Sequence, residues 1–450
     1  MLPNTLLYIV DRLAGFSTNI FKIQPNGSST ATANNIVTFD LPSNSIIHTR
    51  TLRVYFKASL TGTTARLPAD VHSLIERVEV SAGGVILSQG SNFFNVMHKA
   101  KQAVCCDASG NPLAHSEIVR AKSYFDGTTL TGTNPESPAG FLCWNQWDST
   151  FLGSCEPSFI DTALLPDLRV RIYLAPDAVL SSSAGTSLSN FITAPTTPAA
   201  SYTLSEISAN IECVSMPSGL YDDMVNALMD KGGFLELPFK SIHTYSSQHS
   251  GATRFSVSSQ SLDRVWLAWR ASSYATLGAP SKVAGYKGSG AFVSTAANTA
   301  TSVDVGLPGY DTGGVLGTNS EKYTGKYFKF EEPASGIKAQ LQLNGSYYPQ
   351  YLSGSDEWLE ITRNSVDTSS SHFRDMTPHQ YKSDYYVQCV RLNFPHSEKL
   401  RMLSGLDCRG VNLDGVVQSE GAGSSHNLTI FTESTSTLRI GKGREIQVIH

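Results

Sequence analysis

The chain has 450 residues, 40% of them hydrophobic and 16% charged, with a formal net charge of −4. That length exceeds what one ordinary core organises, so two or more domains are expected, with apolar content enough to bury them. Charge density well below the usual ~25%, without charge runs, excludes a strong field for gripping nucleic acid.

The seven cysteines include the adjacent pair Cys105-Cys106 and no C-x-x-C. So unpatterned a set reads as reduced thiols in an intracellular product rather than a secreted scaffold. No secretory leader precedes them, so the sequons at Asn26, Asn344 and Asn427 are expected to carry no glycan. The apolar run Leu6-Leu7-Tyr8-Ile9-Val10 is cut off by Asp11-Arg12, and no segment is expected to span a membrane.

In chain order, residues 4–14 carry an amphipathic helical pattern with Leu6, Val10 and Leu13 on one stripe. Such a helix packs beneath its own domain or reaches a neighbouring chain. Residues 15–35 read as a polar connector. From Ile36 the period switches to two: Leu52, Val54, Phe56 and Ala58 alternate with Arg53, Tyr55 and Lys57, a half-buried strand.

Pro68 fixes a bend. The next strand runs to Val80, with Val78 and Val80 on one face and Arg77 and Glu79 on the other. Gly83-Gly84 supplies the turn that only glycine makes without steric cost. Ser91 then opens a helix with Phe93, Met97, Ala100 and Val104 on one stripe. A Gly/Pro/Thr-rich loop covers 107–140, and Trp144 and Trp147 follow in a strand. Leu168, Val170, Ile172 and Leu174 form the cleanest alternation in the chain. After a Ser/Thr/Ala/Pro linker over 181–201, Ile207, Ala209, Ile211 and Cys213 alternate again, and one antiparallel barrel or sandwich closes.

A connecting helix is expected over 218–233, capped by Ser218, with Asp222 and Asp223 in the first turn and Lys231 in the last. Leu220, Met224, Ala227 and Leu228 form its docking stripe, and Gly232-Gly233 stops it. Neighbouring acids on a helix point apart, so Asp222 and Asp223 do not make a catalytic pair.

The second half then replays the first. Residues 37–59 can be laid on 253–272, matching Phe39 with Phe255 and Arg53-Val54 with Arg264-Val265; later, Val78 to Gly83 lies on Leu341 to Ser346. The shared order argues for duplication of one β domain. Between these segments the second copy carries a long insertion, 273–326, rich in Gly, Ser, Ala and Thr, which reads as functional surface or disorder. The last strands are expected at Val387–Phe394, Leu428–Phe431, Leu438–Ile440 and Ile446–Ile449, with a turn at Gly441-Lys442-Gly443-Arg444.

No H-E-x-x-H, P-loop, G-x-S-x-G or Cys/His metal spacing occurs. His243 and His249 are the closest histidine pair, a spacing that on a strand separates them by about 20 Å. Gly441-Lys442-Gly443 lacks the helix and further glycine of a phosphate cradle. Asp356-Glu357-Trp358 reads as a helix start with acids in its first turn. His98, Lys99 and Lys101 read as a solvated basic face, with weak DNA contact as the alternative. Trp266 and Trp269 read as core. No catalytic or cofactor-binding constellation emerges, and no metal or cofactor is expected.

Three segments carry a family resemblance. "ARLPADVHSLIERVEVSAGGVIL" over 65–87 resembles the signature segment of double jelly-roll major capsid proteins, the adenovirus hexon-type lineage, nearest to virophages and polinton-like viruses. "FLGSCEPSFIDTALLPDLRVRIYLAP" over 151–176 is similar to the late part of that family's first barrel, and "LTIFTESTSTLRIGKGREIQVIH" at the end to its closing hairpin. Together they cover about a sixth of the chain, in the family's order.

The resemblance implies an all-β chain of two tandem eight-stranded antiparallel jelly rolls with short helices in the connections. The expected domains are a helix and connector at 1–35, a first jelly roll at 36–217, a connecting helix at 218–233, and a second jelly roll at 234–450 bearing the 273–326 insertion. It further implies a homotrimer forming a pseudo-hexagonal capsomer, and capsomers tiling an icosahedral shell around double-stranded DNA, inside the host cell and then in the virion. Neighbouring capsomers, penton and minor capsid proteins are the implied partners, with encapsidated DNA touched at most weakly. Leu6, Val10 and Leu13 are the interaction candidates. A tandem β-sandwich that binds carbohydrate or forms an attachment fibre is the alternative, although Tyr and Trp fall mostly in alternating strands rather than in loops. A cupin-type enzyme would need a His/Glu metal cluster that the sequence does not show.

Overall fold

The computed structural model describes residues 17–61, 71–88, 92–104, 141–147, 149–180, 201–215, 225–227, 229–230, 232–275, 281–282, 323–324, 326–328, 330–366, 373, 378, 381–382, 385–394, 403–409, 413–421, 426–441, 443 and 445–450. The first half contains β1 (Ser17–Ile23), β2 (Ala31–Thr32), β3 (Ile36–Asp40), β4 (Ile46–Thr61), β5 (Ile75–Ala82) and β6 (Val85–Ser88). Helix α1 (Phe94–Val104) follows, then β7 (Leu142–Trp144), the short α2 (Phe151–Ser154), β8 (Phe159–Asp161), β9 (Leu168–Leu174) and β10 (Ser201–Ser215). The second half contains β11 (Phe234–Gln248), β12 (Ala252–Val257), β13 (Leu262–Ala271), β14 (Ser281–Lys282), β15 (Tyr323–Thr324), β16 (Lys338–Leu343) and β17 (Ser346–Gly354). It ends with α3 (Ser355–Ser365), β18 (Val387–Arg391), β19 (Leu413–Glu420), β20 (His426–Gly441) and β21 (Ile446–Ile449).

Pairing makes the architecture explicit. In the first half one sheet runs β1-β10-β4-β7 and the other β3-β9-β5-β6; in the second half they run β11-β20-β13-β18 and β12-β19-β16-β17. Ranking each half's eight principal strands in chain order gives 1-8-3-6 for one sheet and 2-7-4-5 for its mate, in both halves. That is the antiparallel jelly roll, made twice. The segments that align in sequence occupy strands of equal rank: Phe39 and Phe255 lie on β3 and β12, Arg53 and Arg264 on β4 and β13, Val78 and Leu341 on β5 and β16. The 11-residue helices α1 and α3 both sit between the fifth and sixth strands of their halves.

Local sequence explains the best-formed elements. In β9 the apolar residues of Leu-Arg-Val-Arg-Ile-Tyr-Leu are buried, and its arginines and tyrosine are half-exposed. Val78 and Val80 point into the core, while Glu79 bridges Arg77 at 2.6 Å and Arg171 at 2.7 Å on the other face. The turn at Gly83-Gly84 has φ of +55° and +88°, and a Cβ on Gly83 would lie 2.5 Å from Pro166.

Several sequence expectations need correction. The polar connector contains β1, which pairs with β10 over seven residues. It is an edge strand exposed on both faces, so it lacks the apolar alternation that announces a strand. β6 intervenes between the Gly83-Gly84 turn and α1 as a four-residue hairpin return. The two strands expected at 428–431 and 438–440 are one, β20, whose polar centre is paired with β11 and β13 on its two sides. Trp147 lies beyond the end of β7. β19, unexpected from sequence, pairs with β12 and β16.

In the connecting segment, residues 225–227 and 229–230 are helical; Ala227, expected on the docking stripe, is exposed and Met229 is buried, while Leu220, Met224 and Leu228 lie outside the described residues. The Gly233 N–H donates to the Met229 carbonyl and φ is +76°, the expected glycine stop. Ser218, Asp222 and Asp223 lie outside the described residues.

Candidate functional site: the junction between the two halves

An assembly of polar and aromatic groups lies where the first half meets the β11-β20-β13 surface of the second. Three pieces of the first half reach it. The residues after α2 run along the free edge of β11: the Lys240 N–H donates to Ser154 Oγ at 2.9 Å, and the Glu156 N–H donates to the Pro238 carbonyl at 3.0 Å. Phe151 meets Phe239 edge-on at 5.1 Å. The start of α1 is held by Thr244, whose hydroxyl donates to the Asn92 carbonyl at 2.9 Å.

Glu433 is the electrostatic centre. Its carboxylate takes the Lys101 ammonium at 3.2 Å on one oxygen and the Trp266 indole N–H at 3.1 Å on the other. Burial alone would raise its pKa, but the charges of Lys101, Arg264 and Lys240 overcome that and bring it down to about 2. Beside it, Lys240 reaches Asp263 at 2.7 Å, and Asp263 also accepts from the Thr435 hydroxyl at 2.6 Å.

A second cluster surrounds Arg270, which is fully buried. Its guanidinium lies 4.7 Å from the Phe93 ring, 3.8 Å from Tyr274 and 5.3 Å from Tyr327. The Tyr327 hydroxyl donates to Glu76 of the first half at 3.3 Å, and burial holds that carboxyl above its usual range. Tyr274 and Tyr327 stand at the two ends of the 273–326 insertion, so one arginine fixes both ends to the first half.

These clusters contain residues that the sequence places elsewhere. Of the residues expected on a solvated face, Lys101 is mostly buried against Glu433, 332 positions away, and His98 is buried beside His72 and Phe94 of its own half. The alternative DNA contact finds no support in that placement. Trp266 and Trp269 are buried as expected, but on opposite faces of β13. Leu6, Val10 and Leu13 lie outside the described residues.

The other candidates are structural. His243 faces the His450 ring at 6.0 Å, and His249 is buried between Thr253 and Ser419 against Trp269. Gly441 and Gly443 shape a hairpin between β20 and β21, closed by the Gly441 N–H on the Glu445 carbonyl. Asp356 and Glu357 stand in the first turn of α3 as expected, and Glu357 accepts the Gly354 N–H at 2.9 Å. Cys143, Cys155, Cys213, Cys389 and Cys408 are buried, and burial pushes the Cys155 thiol up to about 11. Among the described residues no group of three or more His, Cys, Asp or Glu side chains could hold a metal ion.

No family model and no curated protein matches the sequence. Solved structures do. PBCV-1 VP54, a crystal structure fitted into a reconstruction of the virophage Sputnik, aligns at TM-score 0.56 and 12% identity over 99% of both chains. A chain of the Sputnik virophage aligns at 0.53 and 10% identity, covering 100% of this chain and 92% of that one. The Faustovirus major capsid protein aligns at 0.53 and 10% identity over 97% and 92%. At such identities the likeness is one of fold, and it takes in both halves in order: the chain has the double jelly-roll fold of these capsid proteins.

Proposed function

We propose that the protein is a major capsid protein, three copies of which close into a capsomer of six barrels that tiles an icosahedral shell around double-stranded DNA. One observation carries this reading: the whole chain is two jelly rolls of identical strand order, and the solved structures that share the arrangement end to end include the PBCV-1 capsid and the Faustovirus major capsid protein. Two barrels give each chain a two-fold repeat, so a six-sided block needs three chains, and cyclic closure satisfies a heterologous contact without filaments. In this reading the first barrel begins at β1, the second at β11, and residues 218–233 join them.

The mechanism is assembly. Sparsely charged faces of adjacent chains bury one another, and neighbouring capsomers, penton and minor capsid proteins meet the rims. The stripe of Leu6, Val10 and Leu13 serves these contacts rather than the fold, so deleting residues 1–15 should lower particle yield and leave the melting temperature unchanged. The DNA inside is contacted weakly at most, and the chain acts as virion shell after assembly in the host cell.

Light scattering of the purified chain tests the reading. A three-chain particle with a hexagonal outline in electron micrographs is expected. A stable monomer that binds a sugar or turns over a substrate would overturn it.

A further inference from the structure

One histidine closes an end of the second barrel from inside. His249 follows β11 and is fully buried. Its Nδ1 lies 2.8 Å from the Thr253 hydroxyl of β12, and its Nε2 lies 2.6 Å from the Ser419 hydroxyl of β19. The ring stands edge-on to Trp269 of β13 at 4.8 Å. Thr253 and Ser419 belong to one sheet and Trp269 to the other, so a single imidazole ties the two sheets together. The backbone surrounds that tie: the His249 N–H donates to the His426 carbonyl at the start of β20, and the Ser419 N–H donates to the Gly251 carbonyl.

The groups packed on the ring are two hydroxyls and an indole, none of which answers a positive charge. Hydroxyls donate or accept, so the hydrogen bonds suit either protonation state and the charge alone decides. Arg254, Arg270 and Glu420, the charged residues next along β12, β13 and β19, stand on the opposite faces of their strands. Arg270 is held there by its aromatic cage. At the same rim His426 and Glu331 meet each other at 3.3 Å. Burial is accordingly the cause that acts on His249, and it holds the imidazole pKa below the ordinary 6.5.

We infer that His249 is a proton-operated catch: neutral, it holds the two sheets of the second barrel together at this end, and in mild acid it takes a proton and lets the end open. β13 finishes at Ala271 and the insertion begins at 273, so the catch governs the base on which the insertion stands. The sign follows from burial. The unfolded chain takes up this proton from about pH 6.5 downward, before the folded chain does, so the catch gives its full stability above that value and loses it as pH falls below. Glu433, the counterpart of Asn210 because the two stand opposite Arg264 and Arg53, acts later, since its stabilisation is complete above 4.5. Falling pH therefore opens the barrel end before it weakens the contact between the halves. The inference goes beyond the capsid reading and does not depend on it.

Hydrogen exchange of the full chain at about pH 8 and about pH 5, corrected for the intrinsic exchange rate at each, tests it. Amides of 249–253 and 417–420 should lose protection at the lower pH, by up to about tenfold for each unit that the folded value lies below the ordinary one. Those of β9 in the first barrel should keep theirs. His249→Gln, which keeps a polar side chain that does not titrate, should abolish the loss. His243 and His450 face each other at 6.0 Å and are also held low by burial, so His243→Gln is the control: it should leave the loss at 249–253 in place. Unchanged protection of 249–253 in the wild-type chain would overturn the inference whatever the variants do. An equal loss in wild type and His249→Gln would overturn it as well.

Discussion

The sheets β1-β10-β4-β7 and β11-β20-β13-β18 share strand order and register, yet of their third-ranked strands only β13 is buried on both faces. β4 alternates between core and half-exposed positions along most of its length, whereas β13 is buried at every position from Leu262 to Arg270. The difference lies outside the barrels. The second sheet's outer face is covered by α1 and the α2 segment, while the first sheet's outer face still shows Ile20 and Arg53. Burial of a strand's second face is thus decided by what docks on it, and the sequence adapts by placing Arg264, Trp266 and Ala268 in β13 where β4 keeps Arg53, Tyr55 and Lys57.

The largest effect should come from cutting into the covered face. Trp266 and Tyr55 are counterparts, opposite Cys389 and Cys143 in their respective sheets. Trp266→Ala removes a buried ring and the indole bond to Glu433, and should lower stability by about 3–5 kcal/mol. Tyr55→Ala should cost under about 1 kcal/mol in the dissociated chain, as partly exposed sites do. Urea denaturation of the two variants checks the contrast; equal losses would mean that the outer faces are covered alike.

Next comes the pair Glu433 and Asn210. Glu433→Gln leaves Lys101 buried without its counter-charge and should cost about 3 kcal/mol, near the low end for breaking a buried pair. The same residue sets an acid limb. Its folded pKa of about 2 is depressed from an ordinary value near 4.5, so its stabilisation is complete above the ordinary value and is lost as pH falls through the range between them. Asn210 does not titrate, so the first sheet adds nothing there. Midpoints measured from pH 6 to pH 2 should fall less steeply in Glu433→Gln than in wild type, and parallel curves would remove Glu433 from the acid response.

These residues also mark the boundary of what the sequence discloses. Alternation revealed β4, β9 and β10 because each has one face in a core and one toward solvent. The repeat of Arg53-Val54 in Arg264-Val265 pointed to the right strands, since equal rank keeps a similar environment. β1 was hidden because an exposed edge needs no apolar pattern, and β20 read as two strands because Thr432 to Thr437 are polar residues, all but Thr435 buried. Lys101 reads as solvated because the carboxylate that buries it, Glu433, comes from 332 positions away, and His98 because it meets His72 of another element, neither of which a local period can report.

A smaller contrast concerns the Arg270 cage, which the first barrel lacks: the counterpart of Arg270 on β4 is Ser59. Tyr327→Ala removes one of the three rings around the guanidinium and the bond to Glu76, and should cost about 1–2 kcal/mol by loss of a desolvated cation–π contact and a hydrogen bond. Thermal denaturation of Tyr327→Ala beside Tyr327→Phe separates ring from hydroxyl. If both lose equally, the bond to Glu76 is the larger part.

The smallest effect should come from the chain that this cage holds. The third and fourth strands are joined by residues 62–74 in the first barrel and by 272–337 in the second. The cage, with Tyr274 and Tyr327 also in ring contact at 5.4 Å, brings the ends of the longer connection together before its middle contributes anything. Loop closure scales only with the logarithm of length, so replacing residues 283–322 by a short Gly/Ser linker changes closure entropy by under about 1 kcal/mol. The variant should therefore keep the wild-type melting temperature and oligomeric state, while Tyr327→Ala in the same assay registers a loss. That ordering would make the insertion an appendage on a fixed base. An insoluble or dissociated linker variant would instead make it part of the core or of the contact between chains.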